Sequence, residues 1–244
     1  GKSLLEDDNW AMELQQFIEA EPMPMNTQTL TATARALGKF HQVCRDLPCP
    51  PRDARMWRFS EVPRNAFQQF YTQAQQAGAP NASESCNEIA LFLHEAAKEL
   101  DTGKRSAFET GLIHGDWHSG NLMFRGNTLV AIVDLEFAGD GCYLEDIAYA
   151  CSNLCVRTTD SPEKLTWRFN VLLDNYQYSR SLSYAEKFAL YYAVGIKHIM
   201  TVSYQFLQRK GAPVAGFGAA EWLGKLAGQC RWLRMRAERA RFGE

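Results

Sequence analysis

Apolar residues recur at helical spacing over residues 27–45, where Leu30, Ala34, Leu37, Phe40 or His41, and Cys44 share one face. Residues 65–77 also read as a helix, stopped by Gly78-Ala79-Pro80-Asn81. A third helix begins at Ser83, with Ser83 or Ser85 as its cap and Ile89, Phe92, Leu93, Ala96 and Leu100 on its apolar face. Ahead of these, the run Trp10 to Ile18 alternates and predicts an edge strand, followed by a connector marked by Pro22 and Pro24. The period changes in the middle of the chain. Leu112-Ile113-His114, Leu122-Met123-Phe124 and Leu129 to Val133 are short apolar runs, and Arg125-Gly126-Asn127 between the last two is hairpin chemistry. After Glu145 the pattern is helical through Cys155, and again over Pro162–Tyr178, Ser183–Leu207 and Ala219–Arg241. The expected architecture is mainly α with a small central β cluster, and loops between such strands are where chemistry usually sits.

Composition narrows the class. The chain has 244 residues, 46% hydrophobic and 22% charged, with a formal net charge of −2, which excludes a disordered tail. A pI near 6.3 argues against a nucleic-acid binder, so the arginines 231, 234, 236, 239 and 241 are expected on a solvated face of the last helix. No apolar run is long enough to span a membrane, and the best candidate, Phe188 to Ile199, is broken by Gly195, Lys197 and His198. The seven cysteines form no CxxC pair. Cys151 and Cys155 share a helix face but lack further ligands for zinc, so free thiols in a reducing cytoplasm are expected.

The β island carries the chemistry. It reads His114-Gly115-Asp116-Trp117-His118-Ser119-Gly120-Asn121, then Ile132-Val133-Asp134-Leu135-Glu136. Two carboxylates and an amide oxygen on strand-end loops suit a hard cation such as Mg²⁺. Phosphoryl transfer needs a carboxylate to orient or deprotonate the attacking hydroxyl, and a metal to neutralise the phosphates. Asp116 and Asn121 are five residues apart, the spacing of the base Asp and metal-binding Asn in the protein-kinase catalytic loop. His118 is expected to brace the loop, and His41, His94 and His198 to be core-edge or solvated residues. Glu145 suits a helix N-terminus.

HGDWHSGN, IVDLEFAG and the following Glu145-Asp146-Ile147-Ala148 resemble the aminoglycoside phosphotransferase and choline kinase superfamily, from about Trp10 to the C-terminus. The resemblance implies the C-terminal lobe of a protein-kinase-like fold. It also implies Asp116 as catalytic base, Asn121 and Asp134 as Mg²⁺ ligands with Glu136 beside them, and His114 and Asp146 as supports. The stretch after Asp134 is most similar to type II homoserine kinases, in Glu136-Phe137-Ala138, Leu144, Asp146, Ala148, Cys155-Val156 and the segment Tyr176 to Glu186. Residues 14–19 and 36–41 resemble the hinge and first helix of the same group, whereas His118-Ser119-Gly120 follows the antibiotic-kinase style of loop.

Complete members carry a β-rich N-lobe with a loop over the ATP phosphates and a lysine that pairs with them. No Gly-rich loop is present here, and Gly1-Lys2-Ser3 echoes only the end of a P-loop. The expectation is therefore a strand and hinge remnant over residues 1–25 and a kinase-like C-lobe over residues 26–244, with little activity alone. The expected function is ATP-dependent transfer to a hydroxyl of an amino alcohol, sugar or aminoglycoside-like acceptor. A non-catalytic binding module of the same fold is the alternative. Trp57, Trp117, Tyr191 and Tyr192 are candidates for a substrate pocket, against the core role usual for aromatics at helical spacing. The surface around Trp10, Met12 and Phe17 is the expected place for self-association.

Overall fold

The computed structural model describes residues 4–7, 10–13, 16–51, 64–156 and 161–243. Eight α-helices and six short strands are found among them. The strands form three separate two-stranded antiparallel pairs. β1 (Leu4–Asp7) pairs with β2 (Trp10–Glu13). β3 (Thr110–Ile113) pairs with β6 (Gly139–Cys142), and β4 (Leu122–Arg125) with β5 (Thr128–Ile132). The β4–β5 turn is Gly126-Asn127, with Gly126 at φ +56°, as the hairpin chemistry requires.

The helices are α1 (Thr27–Val43), α2 (Arg64–Gln76), α3 (Ala82–Glu99), the short α4 (Thr102–Arg105), α5 (Tyr143–Cys151), α6 (Pro162–Tyr176), α7 (Tyr184–Gln208) and α8 (Ala219–Arg241). Their ends follow local chemistry. Asn26 caps α1, accepting from the amides of Gln28 and Thr29. Ser161 caps α6 ahead of Pro162 in its first turn. Ser183 and Glu186 form a capping box on α7. α7 is the central helix: most of its residues from Phe188 to Ile199 are buried, packed against α2, α3, α5 and α8.

Several expectations are corrected. The described strand covers Trp10–Glu13, Leu14 and Gln15 lie outside the described residues, and residues 16–18 are in no strand, with Phe17 88% exposed. α3 starts at Ala82, after Asn81 in the left-handed conformation (φ 52°), and no serine caps it. β6 escapes the pattern because Gly139-Asp140-Gly141-Cys142 has no apolar alternation. Its glycine serves close packing instead: a Cβ on Gly141 would sit 2.4 Å from Cδ1 of Ile113. The helix after Glu145 gives way to a π-helical turn over Ser152–Val156.

Of the α8 arginines, Arg231, Arg239 and Arg241 are exposed, as a solvated face requires, while Arg234 and Arg236 are partly buried. Arg234 reaches Glu95 at 2.8 Å and Glu88 at 2.9 Å, Arg231 reaches Glu88 at 3.4 Å, and Arg241 reaches Glu99 at 3.2 Å. These ion pairs clamp α8 against α3. Each interruption of the α7 apolar run also has a reason. Gly195 admits the Phe92 ring, whose Cζ lies 2.1 Å from where a Cβ would stand. His198 meets Gln229 at 3.0 Å. The Lys197 ammonium lies over the Tyr149 ring, 3.8 Å from its centroid. No described helix is long and apolar enough to cross a membrane.

Candidate active site

Three segments meet between the small sheets. The first follows β3 and holds His114 to Asn121; it ends in a 3₁₀ turn, Ser119–Asn121, that leads into β4. The second follows β5 and holds Val133 to Ala138. The third is the start of α5.

Asp146 on α5 fastens the first segment. It is fully buried, and its Oδ2 accepts from the amide of His114 (2.7 Å) while Oδ1 accepts from the amide of Gly115 (2.8 Å). Its Oδ2 also meets His41 Nε2 at 3.1 Å. Burial works against the charge, but the His41 contact and the two amides prevail and hold the carboxyl below its usual range. His41 is itself buried, which lowers its basicity. Its Nδ1 meets the Tyr176 hydroxyl at 2.9 Å, and its ring stacks on Tyr143. Arg180 bonds Tyr176 (3.2 Å) and Glu109 (2.7 Å), and also Glu186. Glu109 immediately precedes β3, so this polar cluster anchors both ends of the β3 segment.

His114 joins the first and second segments. Its Nδ1 accepts from the amide of Asp116 (3.2 Å), and its Nε2 donates to the carbonyl of Val133 (3.1 Å), one residue before Asp134. The backbone makes the same connection. Gly115 has φ +81°, and a Cβ there would lie 2.4 Å from the carbonyl oxygen of Phe137. Only glycine lets the two loops approach this closely.

Asp116 is held by its neighbours. Asn121 Nδ2 donates to its Oδ2 (3.0 Å) and to its carbonyl (3.0 Å). His118 Nε2 lies 3.2 Å from Oδ2, while His118 Nδ1 accepts from the amide of Gly120 (2.9 Å) and so braces the turn. Burial would raise the Asp116 carboxyl, but hydrogen bonds from His118, Tyr149 and Asn121 outweigh it and hold the group below its usual range. A base kept ionised and pointed by fixed donors suits a hydroxyl nucleophile.

Asp134 is exposed and has φ +65°, a left-handed conformation that side chains other than Gly, Asn and Asp rarely adopt. No described residue hydrogen-bonds its carboxylate. Glu136 is exposed in the turn that follows. Among the described residues, no three His, Cys, Asp or Glu side chains converge on a metal position. That donor set still fits Mg²⁺, which takes one or two carboxylates and completes its shell with water and substrate phosphates. Asn121 fits the same role, because both Nδ2 hydrogens are spent on Asp116 and its Oδ1 remains as a hard donor.

The aromatic pocket candidates do not gather here. Trp117 is fully buried, packed against Phe40 and His114, because an indole this large next to α1 fills the core. Tyr191 stacks on Phe169, and Tyr192 donates to Glu95 at 3.1 Å, both within the helical packing around α7. Trp57 lies outside the described residues. Three residues that the sequence reading passed over do belong to the site. Asn153, in the π-helical turn, accepts from the amide (3.2 Å) and hydroxyl (3.3 Å) of Ser119. Tyr149 meets the His118 ring edge-on at 5.8 Å and favours the ionised form of Asp116, and Lys197 lies over the face of Tyr149. His41, read as a core-edge or solvated residue, is the buried partner of Asp146.

Comparison with known proteins gives a consistent picture. The phosphotransferase enzyme family matches residues 2–177. A homoserine kinase of Nitrobacter hamburgensis is 28% identical over 178 residues, covering 69% of this chain and 48% of the relative. The chain thus spans about half the length of the curated relatives it matches. Among solved structures, an aminoglycoside phosphotransferase of Alicyclobacillus acidocaldarius aligns with a TM-score of 0.66 at 14% identity, over 99% of this chain and 74% of that one. A microcompartment-associated aminopropanol kinase aligns with a TM-score of 0.65 at 15% identity, over 98% and 72%. The fold is that of the aminoglycoside and choline kinases, which is protein-kinase-like.

Proposed function

Because the chain belongs to the phosphotransferase enzyme family, we propose that it transfers the γ-phosphoryl group of ATP to the hydroxyl of a small molecule, such as an amino alcohol, a sugar or an aminoglycoside-like acceptor. The names of the relatives, kinases of homoserine and aminopropanol, favour a small amino-bearing alcohol. The observation that carries this reading is the lock between Asn121 and Asp116, which aims a base and a metal donor from one turn.

In this mechanism Asp116 orients the acceptor hydroxyl and takes its proton as the oxygen bonds to the γ-phosphorus and ADP leaves. Asn121 and Asp134 would hold Mg²⁺, with Glu136 beside them. When bound, Mg²⁺ neutralises charge on the phosphates. His114 and Asp146 keep the two loops in register. Residues 26–244 act as the catalytic lobe and residues 1–25 as the strand and hinge leading to the nucleotide side. The sequence contains no Gly-rich phosphate loop, so turnover by these 244 residues alone is expected to be weak. The seven cysteines form no disulfide among the described residues, which suits a reducing cytoplasm.

The test is phosphorylation of homoserine, aminopropanol, choline and an aminoglycoside by the natural full-length protein with Mg²⁺ and ATP, followed by ³¹P NMR. A new phosphomonoester resonance growing in step with ADP is expected for at least one acceptor. ATP left intact with every acceptor, or release of inorganic phosphate alone, contradicts the reading and favours a binding module.

A further inference from the structure

The segment from Tyr176 to Glu186 joins α6 to α7, and its buried Tyr176 and Arg180 enter the polar cluster beneath the catalytic loop. Arg180 is 4% exposed. Its Nε donates to Glu109 (2.7 Å), its Nη2 to Glu186 and its Nη1 to the Tyr176 hydroxyl oxygen (3.2 Å). That oxygen lies 2.9 Å from His41 Nδ1, and His41 Nε2 lies 3.1 Å from Asp146 Oδ2. Asp146 accepts in turn from the amides of His114 and Gly115. The two ends of this chain have opposite chemistry. A guanidinium can only donate, and an ionised carboxylate can only accept, whereas a hydroxyl and a neutral imidazole can do both. Because Arg180 donates to the Tyr176 oxygen, the one hydroxyl proton is left for His41 Nδ1. Because Asp146 only accepts, His41 carries its own proton on Nε2. A single arrangement satisfies every link, with each bond running from Arg180 toward Asp146.

Resting on the phosphotransferase reading above, we propose that Tyr176 and Arg180 are positioning residues for phosphoryl transfer, acting on the catalytic loop through His41 and Asp146. The chain makes the His41 ring a fixed donor to one oxygen of Asp146. The carboxylate then cannot turn away from the two amides it holds, and Asp116 directly follows Gly115. The placement of the proposed base therefore follows from a junction between two helices. The groups that face His41 are Asp146 and Tyr143 from α5, Tyr176 from α6, Arg180 beyond it and Glu109 before β3. Burial keeps the ring neutral while the chain is intact. Breaking the hydroxyl link frees Nδ1 to take a second proton or to let the ring turn.

The natural full-length protein serves for the test, with the best acceptor of the panel. Nitrogen-15 NMR of the His41 ring should show a proton on Nε2 and none on Nδ1, even at pH 6.5, where an ordinary histidine is half protonated. Tyr176→Phe keeps the ring edge-on to His41 and leaves the Arg180 ion pairs in place. It should bring the titration of His41 closer to the ordinary value and shift the amide resonances of His114 and Gly115. It should also lower kcat about tenfold, with the KM for ATP within about twofold. Arg180→Lys retains a group that can only donate, with three N–H bonds for the same three acceptors, but loses the planar fork. It should cost more in melting temperature than Tyr176→Phe and less in kcat. A merely structural role would not produce that crossing. A wild-type His41 protonated on Nδ1, unchanged kcat in Tyr176→Phe, or kcat that follows melting temperature across the two variants overturns the proposal. A wild type that phosphorylates no acceptor ends the phosphotransferase reading and this proposal with it. An active wild type beside a fully active Tyr176→Phe ends the proposal alone.

Discussion

Asp116→Ala is expected to lower kcat by about 10²–10⁴-fold, the range lost when a positioned general base is removed, while leaving the fold in place. The side chain is 16% exposed and His118 can turn to water, while the buried Asn121 keeps its Nδ2 bond to the carbonyl of residue 116. The cost in stability should therefore be about 1 kcal/mol or less. The loop does not depend on this carboxylate for its shape. Asp146 holds its start, the Gly120 amide is capped by His118, and the carbonyl of Asn121 accepts from the amide of Val133 at 3.0 Å. Turnover and circular dichroism measured on the same sample check the prediction: activity should vanish while the helical signal and unfolding midpoint stay near those of the wild type. Retained turnover would remove Asp116 from the role of base.

Asp146→Ala should act in the opposite sense, through the fold. It removes the acceptor of three buried donors at once: the amides of His114 and Gly115, and His41 Nε2. Buried donors left without partners cost about 1–3 kcal/mol each, so a loss on the order of 3–5 kcal/mol is expected, with turnover falling as the catalytic loop is released. The dependence on pH identifies the cause. The folded-state pKa of Asp146 lies below its ordinary value, so its contribution is present above that value, near 3.8, and fades as pH falls and the folded carboxyl protonates. His41 leans the same way. Its folded pKa lies below the ordinary 6.5, so below that pH the unfolded chain takes up a proton that the folded chain resists, and stability declines. Denaturant unfolding at several pH values should show the wild-type advantage over Asp146→Ala to persist from neutrality down to about pH 3.8 and to shrink below it. A constant difference across that range would mean that the carboxylate charge is not what holds the loop.

Much of this site could be read along the chain because it is local. Asp116 and Asn121 lie on one short loop, and Asp134 ends the next hairpin, so spacing alone brings them close. The hairpin itself was legible in Arg125-Gly126-Asn127. What escaped is what tertiary packing assembles. Tyr149 and Lys197 are 48 positions apart and meet only because α5 lies against α7; in sequence, the lysine looks like an interruption of an apolar run. Asn153 reaches Ser119 through a π-helical turn that helical periodicity does not register. An imidazole on the apolar face of α1 reads as a core-edge residue, and nothing near His41 in sequence announces a carboxylate 105 positions away. Close approach also leaves little trace: Gly111, Gly115 and Gly141 have no pattern of their own, yet side-chain or backbone atoms stand 2.1–2.4 Å from where their Cβ atoms would be. For the aromatics the bias ran the other way, since Trp117, Tyr191 and Tyr192 serve the core.

On the proposed function, the Asp116–Asn121 turn and the Asp134 strand end are two halves of one metal-dependent transfer centre. Mn²⁺ in place of Mg²⁺ reports on that centre directly, by electron paramagnetic resonance titration of the natural full-length protein in the presence of ATP. Asn121→Ala and Asp134→Ala are each predicted to weaken Mn²⁺ binding by about tenfold or more, with the fold intact by circular dichroism. Wild-type Mn²⁺ affinity in both variants would contradict the account.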